Sequence, residues 1–100
     1  MIRLDIVVSK EALNWFKDEM EAEPGENIRF FARYGGSSKL HAGFSLGVTK
    51  DTPDEAAAES TYDNLLFFVE ERDKWYFDGH NLHVLFNEST GELEYDYKKA

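Results

Sequence analysis

Cysteine is absent from the sequence. Its absence excludes disulfide bonds, thiolate metal ligands and thiol nucleophiles in one step. Proline is scarce, with 2 residues, and the 7 glycines are scattered at turn-like positions instead of being pooled in one stretch. Because a flexible linker needs such a stretch, the sequence predicts a single domain over residues 1–100.

Positive charge is also scarce, since 11 lysines and arginines face 20 aspartates and glutamates, a formal net charge of −9. A field of this sign repels the phosphate backbone of nucleic acids and the surface of anionic membranes. The sequence further lacks an apolar run long enough for a signal peptide or a membrane span. We therefore expect a cytoplasmic protein that binds neither nucleic acid nor membranes.

Apolar residues are nevertheless abundant, at 42% of the chain with 15% aromatic, which is ample for one hydrophobic core. A helix is predicted to begin after Ser9, whose hydroxyl can cap it, and to end at Pro24-Gly25. Its core-facing positions follow helical spacing: Ala12, Leu13, Phe16 and Met20.

Alternating or continuous apolar residues predict strands at residues 4–8, 28–34, 44–48, 65–69, 82–86 and 93–97. The strand at 65–69 is apolar on both faces, so it should lie at the centre of the structure. Residues 54–60 fit either a loop or one short helical turn, and residues 71–77 fit a short helical turn that carries Trp75. One helix followed by mostly antiparallel strands predicts an α+β fold with curled sheets.

The segment Gly43-Phe44-Ser45-Leu46-Gly47 matches G-x-S-x-G, the nucleophile elbow of serine hydrolases. That motif needs a helix directly behind the serine, and the following stretch, which ends in Thr52-Pro53, cannot supply one. A chain of 100 residues is also too short for the hydrolase scaffold. We interpret the match as a coincidence.

Asp78, His80, His83 and, elsewhere, His41 are the thiol-free candidates for a metal site, because imidazole and carboxylate suit zinc or ferrous iron. On a strand His80 and His83 would point to opposite faces and form no ready chelate. The alternative is that these groups form hydrogen bonds within a turn and at a strand edge. An enzyme with Asp78 and His80 as an acid-base pair is also open, although no nucleophile is visible beside them. The sequence predicts a non-catalytic protein without a resident cofactor.

The stretch Gly35-Gly36-Ser37-Ser38-Lys39 offers backbone N–H groups, two hydroxyls and an ammonium close to Arg33. Together these groups fit a nest for a small anion. The stretch lacks the P-loop pattern, and a plain glycine-permitted loop between two strands is the alternative interpretation. A small-anion or protein-binding module unrelated to iron is therefore the alternative function.

Several segments occur in a familiar order along the chain. They are Ser9-Lys10-Glu11-Ala12, Tyr34-Gly35-Gly36-Ser37-Ser38, Gly43-Phe44-Ser45-Leu46-Gly47, Phe67-Phe68-Val69-Glu70 and Trp75-Tyr76-Phe77-Asp78-Gly79-His80. In layout the chain resembles the HesB-like, A-type iron–sulphur carrier family. It is similar in particular to the cysteine-free, YneR-like branch of that family.

The resemblance implies one HesB-like domain, in which small, mostly antiparallel sheets form a barrel-like core beside the N-terminal helix. Carriers of the family hold a cluster through one cysteine after the double glycine and a cysteine pair in the C-terminal tail. Here Ser37 stands at the first position, where a hydroxyl is a poor iron ligand, and the tail pair has no counterpart. The resemblance therefore implies a non-catalytic protein that is accessory to iron–sulphur cluster or iron metabolism without holding a cluster.

Loops held by a rigid sheet are where binding groups collect, so we expect a functional rim on the loop after the double glycine and on the turn around Trp75. Its predicted members are Arg33, Gly35, Gly36, Ser37, Ser38, Lys39, His41, Trp75, Asp78 and His80. The expected partner is another protein or a small anion. Members of the resembled family also associate with copies of themselves, so a homo-oligomer is an open expectation.

Overall fold

A computed structural model describes residues 4–99, which form seven strands, one α-helix and one 3₁₀ helix. In chain order these are β1 (Ile6–Val8), α1 (Lys10–Glu19), β2 (Asn27–Ser37), β3 (Ala42–Lys50), β4 (Ala56–Tyr62), β5 (Leu65–Glu70), the 3₁₀ helix (Glu71–Phe77), β6 (His80–Asn87) and β7 (Glu92–Lys99). The predicted α+β class is confirmed.

The helix α1 begins as the sequence predicts. The Ser9 hydroxyl accepts a hydrogen bond from the backbone N–H of Ala12 at 3.1 Å, and the predicted core positions Ala12, Leu13 and Phe16 are buried. The predicted end at Pro24-Gly25 is wrong, because α1 ends at Glu19. Glu21, in the left-handed region at φ 52°, turns the chain out of the helix before the proline is reached. No helix within residues 4–99 combines the length and the apolar character needed to cross a membrane.

The strands form two mixed sheets that pack against one core. One sheet has the order β1-β6-β7 and the other the order β3-β2-β5-β4; β1 runs parallel to β6 and β2 parallel to β5, while the other neighbours are antiparallel. Phe30 of the second sheet contacts Tyr95 of the first with ring centres 6.1 Å apart. The Tyr62 hydroxyl donates to the Ile6 carbonyl at 3.1 Å. Within residues 4–99 the sheets stay separate and do not close into a barrel.

Two local predictions are wrong for the same reason. Residues 54–60 are neither loop nor helical turn, because most of them belong to β4, which pairs with β5. The residues Gly35, Gly36 and Ser37 are the end of β2 rather than a loop, with a register irregularity between Tyr34 and Ser37. In both cases pairing with a neighbouring strand overrides weak local strand propensity. The prediction for β5 is confirmed, since it lies between β2 and β4 and is buried on both faces.

Two tyrosines of β7 face this core and make the fold sensitive to alkaline pH. Burial, together with the nearby Tyr76, raises the pKa of Tyr95 to about 12. Burial also raises the pKa of Tyr97, helped by the hydrogen bond between its hydroxyl and that of Tyr76 at 3.1 Å. A buried phenol resists ionisation because the phenolate would lose its hydration.

Tyr95→Phe is expected to reduce the loss of stability at alkaline pH. The pKa of Tyr95 is about 12 in the folded protein and about 10 in an unfolded chain, so its contribution is complete below about pH 10 and is lost as the pH rises towards 12. That loss has a slope of about 1.4 kcal/mol per pH unit. Urea unfolding across this pH window measures it. Tyr34→Phe, which removes an exposed phenol, is the control, and an equal slope in both variants would contradict the prediction.

Candidate functional site

An aromatic surface forms where β2 and β3 extend past the core. These strands have 11 and 9 residues, whereas the neighbouring β5 has 6. On β2, alternation places Tyr34 on the same side as the buried Phe30, yet the side chain of Tyr34 is 87% exposed. Its register partner on β3 is Phe44, and their ring centres lie 5.5 Å apart. The side of this sheet that faces the core therefore extends beyond the core, and there it exposes Tyr34.

The 3₁₀ helix adds a tryptophan to this surface. Trp75 is 51% exposed, and its ring centre lies 5.2 Å from that of Phe44 and 5.5 Å from that of His41. His41 is fixed by a contact of 2.8 Å between its Nε2 and the carbonyl of Tyr76. We call the four side chains of Tyr34, His41, Phe44 and Trp75 the aromatic face.

A carboxylate attaches the 3₁₀ helix to β2 and so sets the position of Trp75. The Oδ2 atom of Asp73 lies 2.8 Å from a guanidinium nitrogen of Arg29, in a pair whose side chains are 10% and 14% exposed. The other carboxylate oxygen accepts a hydrogen bond from the backbone N–H of Ala32 at 3.3 Å. Pairing between β2 and β5 ends at Phe30, so Asp73 continues the hydrogen bonding of β2 beyond the last paired residue of β5.

A second buried carboxylate fixes the chain entering β4. Glu70 is 3% exposed, and its two oxygens accept the backbone N–H groups of Asp54 and Glu55 at 2.8 and 2.9 Å. Buried carboxylates need such partners, because an unpaired one would lose its hydration without compensation. Polar contacts, in addition to core packing, therefore hold the start of the 3₁₀ helix that carries Trp75.

The aromatic face has the properties of a protein-binding surface. Tyr34 and Trp75 both contact the ring of Phe44, and exposed tyrosine and tryptophan side chains contribute strongly to binding energy at protein interfaces. An open depression borders Trp75 and is lined by Glu71, Lys74, Asp78 and Gly79. Such mixed charges suit the polar rim of an interface.

The predicted anion loop uses most of its polar groups internally. The Ser38 hydroxyl accepts from the backbone N–H of His41 at 3.2 Å, and the Lys39 ammonium lies 3.4 Å from a carboxylate oxygen of Asp96. Gly35 and Gly36 have φ angles of 112° and 66°, so they serve the strand irregularity. Ser37, Ser38 and Lys39 do line a groove with Tyr95 and Tyr97, but the Asp96 carboxylate offsets its single cation.

The other rim residues are divided by the fold. His41 and Trp75 come together on the aromatic face. Arg33 is exposed and points to the opposite side of β2 from Tyr34, because neighbouring strand residues alternate.

The turn residues of the predicted rim hold the turn itself. Asp78 is an exposed residue with φ 46°, and its backbone N–H donates to the Trp75 carbonyl at 3.2 Å. The Nδ1 of His80 contacts the carbonyls of Phe77 and Asp78 at 3.0 and 2.9 Å. His80 therefore faces backbone carbonyls within the turn, which matches the alternative interpretation of these polar groups.

Neither metal nor nucleophile geometry is found in the part of the chain that the structure describes. Among residues 4–99, no three or more histidines or acidic side chains are grouped so that they could hold a metal ion. Ser45 lies inside β3, which continues to Lys50. The strand-to-helix turn of a nucleophile elbow is therefore not formed there.

Sequence reasoning missed Tyr34 and Phe44 as site residues. Tyr34 fits the inward set of β2 by alternation, and only its place next to Gly35-Gly36 signals that the strand is leaving the core. Phe44 lies inside a motif that was interpreted for its serine. The signal that could have identified them is a pair of aromatic residues on the two strands of a long hairpin, close to the segment that connects the strands.

Relatives that align along almost the whole chain are found among bacterial proteins. The sequence is 45% identical over 95 residues to a Bacillus subtilis (strain 168) protein named "Pyruvate dehydrogenase inhibitor", covering 95% of this chain and 100% of that protein. It is 39% identical over 98 residues to an uncharacterized protein of Staphylococcus saprophyticus, covering 95% and 100%. It is 34% identical over 99 residues to an uncharacterized protein of Staphylococcus aureus (strain MRSA252), covering 96% and 99%. No protein-family model and no solved structure matches it significantly.

Proposed function

Because the chain belongs to the same family as the Bacillus subtilis protein named pyruvate dehydrogenase inhibitor, we propose that it inhibits pyruvate dehydrogenase by binding to it as a non-catalytic protein. The identity of 45% along the full length of that relative is the observation that carries this proposal. A stoichiometric inhibitor needs a binding surface, not a nucleophile or a cofactor, and this chain offers such a surface.

The binding surface in this proposal is the aromatic face. Trp75 and Tyr34 are half or more exposed, and each packs edge-on against the ring of Phe44. A preorganised aromatic group loses little entropy when a partner covers it. The charged side chains around Trp75 would form the polar rim that surrounds the buried centre of an interface.

An enzyme assay tests the proposal. Purified pyruvate dehydrogenase complex from Bacillus subtilis, the organism of the 45% identical relative, is assayed with increasing amounts of the purified chain. Inhibition should rise with concentration and saturate near one chain per binding site, since the chain acts by occupancy and is not consumed. Heat-unfolded chain is the control. Full activity at a large excess of folded chain would contradict the proposal.

The iron-related role implied by the HesB-like resemblance is a separate proposal, as is a homo-oligomer. The order of the resembling segments along the chain supports the iron-related role. An anaerobic titration with ferrous iron, followed by amide NMR, tests it. Saturable shifts confined to residues 35–41 and 75–83 would support it. The same titration with phosphate tests the small-anion alternative, for which saturable shifts around Lys39 are expected.

A further inference from the structure

A second surface lies on α1, which contributes no residue to the aromatic face. The helix carries one stripe toward the core and a second stripe at positions 11, 14, 15, 18 and 19, which share a side by helical spacing. Together with Phe86 and Glu88 at the end of β6, this second stripe lines a groove. Residues from two separate elements thus build one concave surface.

The floor of the groove is aromatic and fixed. Trp15 and Phe86 are partly buried and pack against the hydrophobic core. The Trp15 ring also meets Phe16 edge-on, with ring centres 5.3 Å apart. These contacts position the Trp15 indole, whose exposed part forms the floor of the groove.

The charged residues described at the rim of the groove are all acidic, and Asn14 beside them is neutral. Four exposed carboxylates line the groove, those of Glu11, Asp18, Glu19 and Glu88, and no lysine or arginine among residues 4–99 does. Lys17 of the same helix is engaged elsewhere, since its ammonium lies 2.7 Å from Asp63.

Two of the acidic residues of this rim, Asp18 and Glu19, do not serve the stability of the helix, whereas Glu11 lies in its first turn, where the helix dipole favours a carboxylate. Asp18 and Glu19 are at the C-terminal end of α1, where the helix dipole disfavours negative charge. Charges placed against the helix dipole in this way are typical of functional positions.

We propose that this groove binds a lysine- or arginine-bearing segment of a protein partner. The aliphatic stem of such a side chain packs on an aromatic floor while its cationic head reaches the carboxylates, and a cation over an indole face gains further attraction. Charge complementarity selects this occupant, because the rim attracts cations and repels acidic segments. The inference does not depend on the proposed inhibition, since the aromatic face consists of other residues.

The test uses a capped hexapeptide of alternating lysine and leucine as the probe. In a Trp75→Phe chain, Trp15 is the one remaining tryptophan of the 2 in the sequence, so its fluorescence reports occupancy of the groove. The groove variant neutralises three rim carboxylates, with Glu11→Gln, Asp18→Asn and Glu19→Gln. The control variant removes the same charge from exposed positions outside the groove, with Glu55→Gln, Glu59→Gln and Glu92→Gln.

We expect saturable binding whose Kd rises about tenfold in the groove variant and less than about twofold in the control. Circular dichroism establishes that both variants are folded. Equal weakening in the two variants would mean that the peptide follows net charge, and would overturn the proposal. Displacement of the peptide by spermine at equal concentration would also overturn it, because the groove would then be a site for small polycations. Absence of a Trp15 signal at low salt would do the same.

Discussion

Asp73→Ala is expected to lower the free energy of unfolding by about 3 kcal/mol, the cost of breaking a largely buried ion pair from one side. The substitution leaves the guanidinium of Arg29 with one carboxylate, Asp51 at 3.2 Å, and removes the acceptor of the Ala32 N–H. The Nε of Arg29 is already buried without a hydrogen-bond partner, so the environment has little capacity to compensate. Equilibrium urea unfolding measures the loss.

Asp51→Ala is the matched control for this prediction. It removes the other carboxylate that pairs with Arg29. The Asp51 side chain is 44% exposed, so its loss should lower the free energy of unfolding by less than about 1 kcal/mol, because solvent screens an exposed pair. Asp73→Asn should recover part of the loss, since an amide oxygen can still accept from Ala32. Similar losses for Asp73→Ala and Asp51→Ala would show that the attachment of the 3₁₀ helix does not depend on Asp73.

Trp75→Ala is expected to weaken binding to pyruvate dehydrogenase about thirtyfold, which corresponds to about 2 kcal/mol for a central aromatic contact at an interface. The indole contributes half-exposed area to the aromatic face, against both His41 and Phe44. Its exposure of 51% means that little core packing is lost with it. The concentration of chain that gives half-maximal inhibition measures the effect, with the unfolding free energy recorded in parallel.

Leu85→Ala is the control for the binding prediction. Leu85 is a large hydrophobic residue on β6 that is 37% exposed, and it lies outside the aromatic face. Its replacement should leave inhibition within about twofold of the original chain, since scattered surface hydrophobic residues carry no binding by themselves. A loss of inhibition that is equal in the two variants would contradict a role specific to Trp75.

The parts of the fold that local physics controls were predictable from the sequence. The Ser9 cap and the helical spacing of Ala12, Leu13 and Phe16 predicted the start and the buried side of α1. The unbroken apolar run of β5 predicted its central place, because only a strand covered on both faces has that composition.

The parts that depend on distant partners were not predictable in this way. Ala56–Tyr62 has little strand propensity and is a strand because β5 offers it an antiparallel edge. Tyr34 has the alternation of a core residue, but the first sheet, β1-β6-β7, does not reach that far along β2, so the ring of Tyr34 is exposed. A local pattern reports which side a residue faces and not how far the opposite layer extends.

The candidate site was predicted in part, for a comparable reason. Sequence reasoning placed His41 and Trp75 on one rim, and the structure brings their rings together. It also placed Lys39 there as a free cation, although Asp96, 57 positions away in sequence, lies beside its ammonium. Partners at such separations follow from the arrangement of the sheets, which the loop sequence alone does not encode.

Transferred cross-saturation NMR on the deuterated chain, mixed with a small amount of pyruvate dehydrogenase complex, tests whether the aromatic face is the surface that contacts the enzyme. Saturation spreads from the enzyme only to amides at the contact, so the signal losses map the bound surface. We predict the largest losses at Tyr34, at residues 41–44 and at Trp75, because the aromatic face would be covered. Losses confined to other surfaces, or no losses at all, would show that the aromatic face does not bind the enzyme.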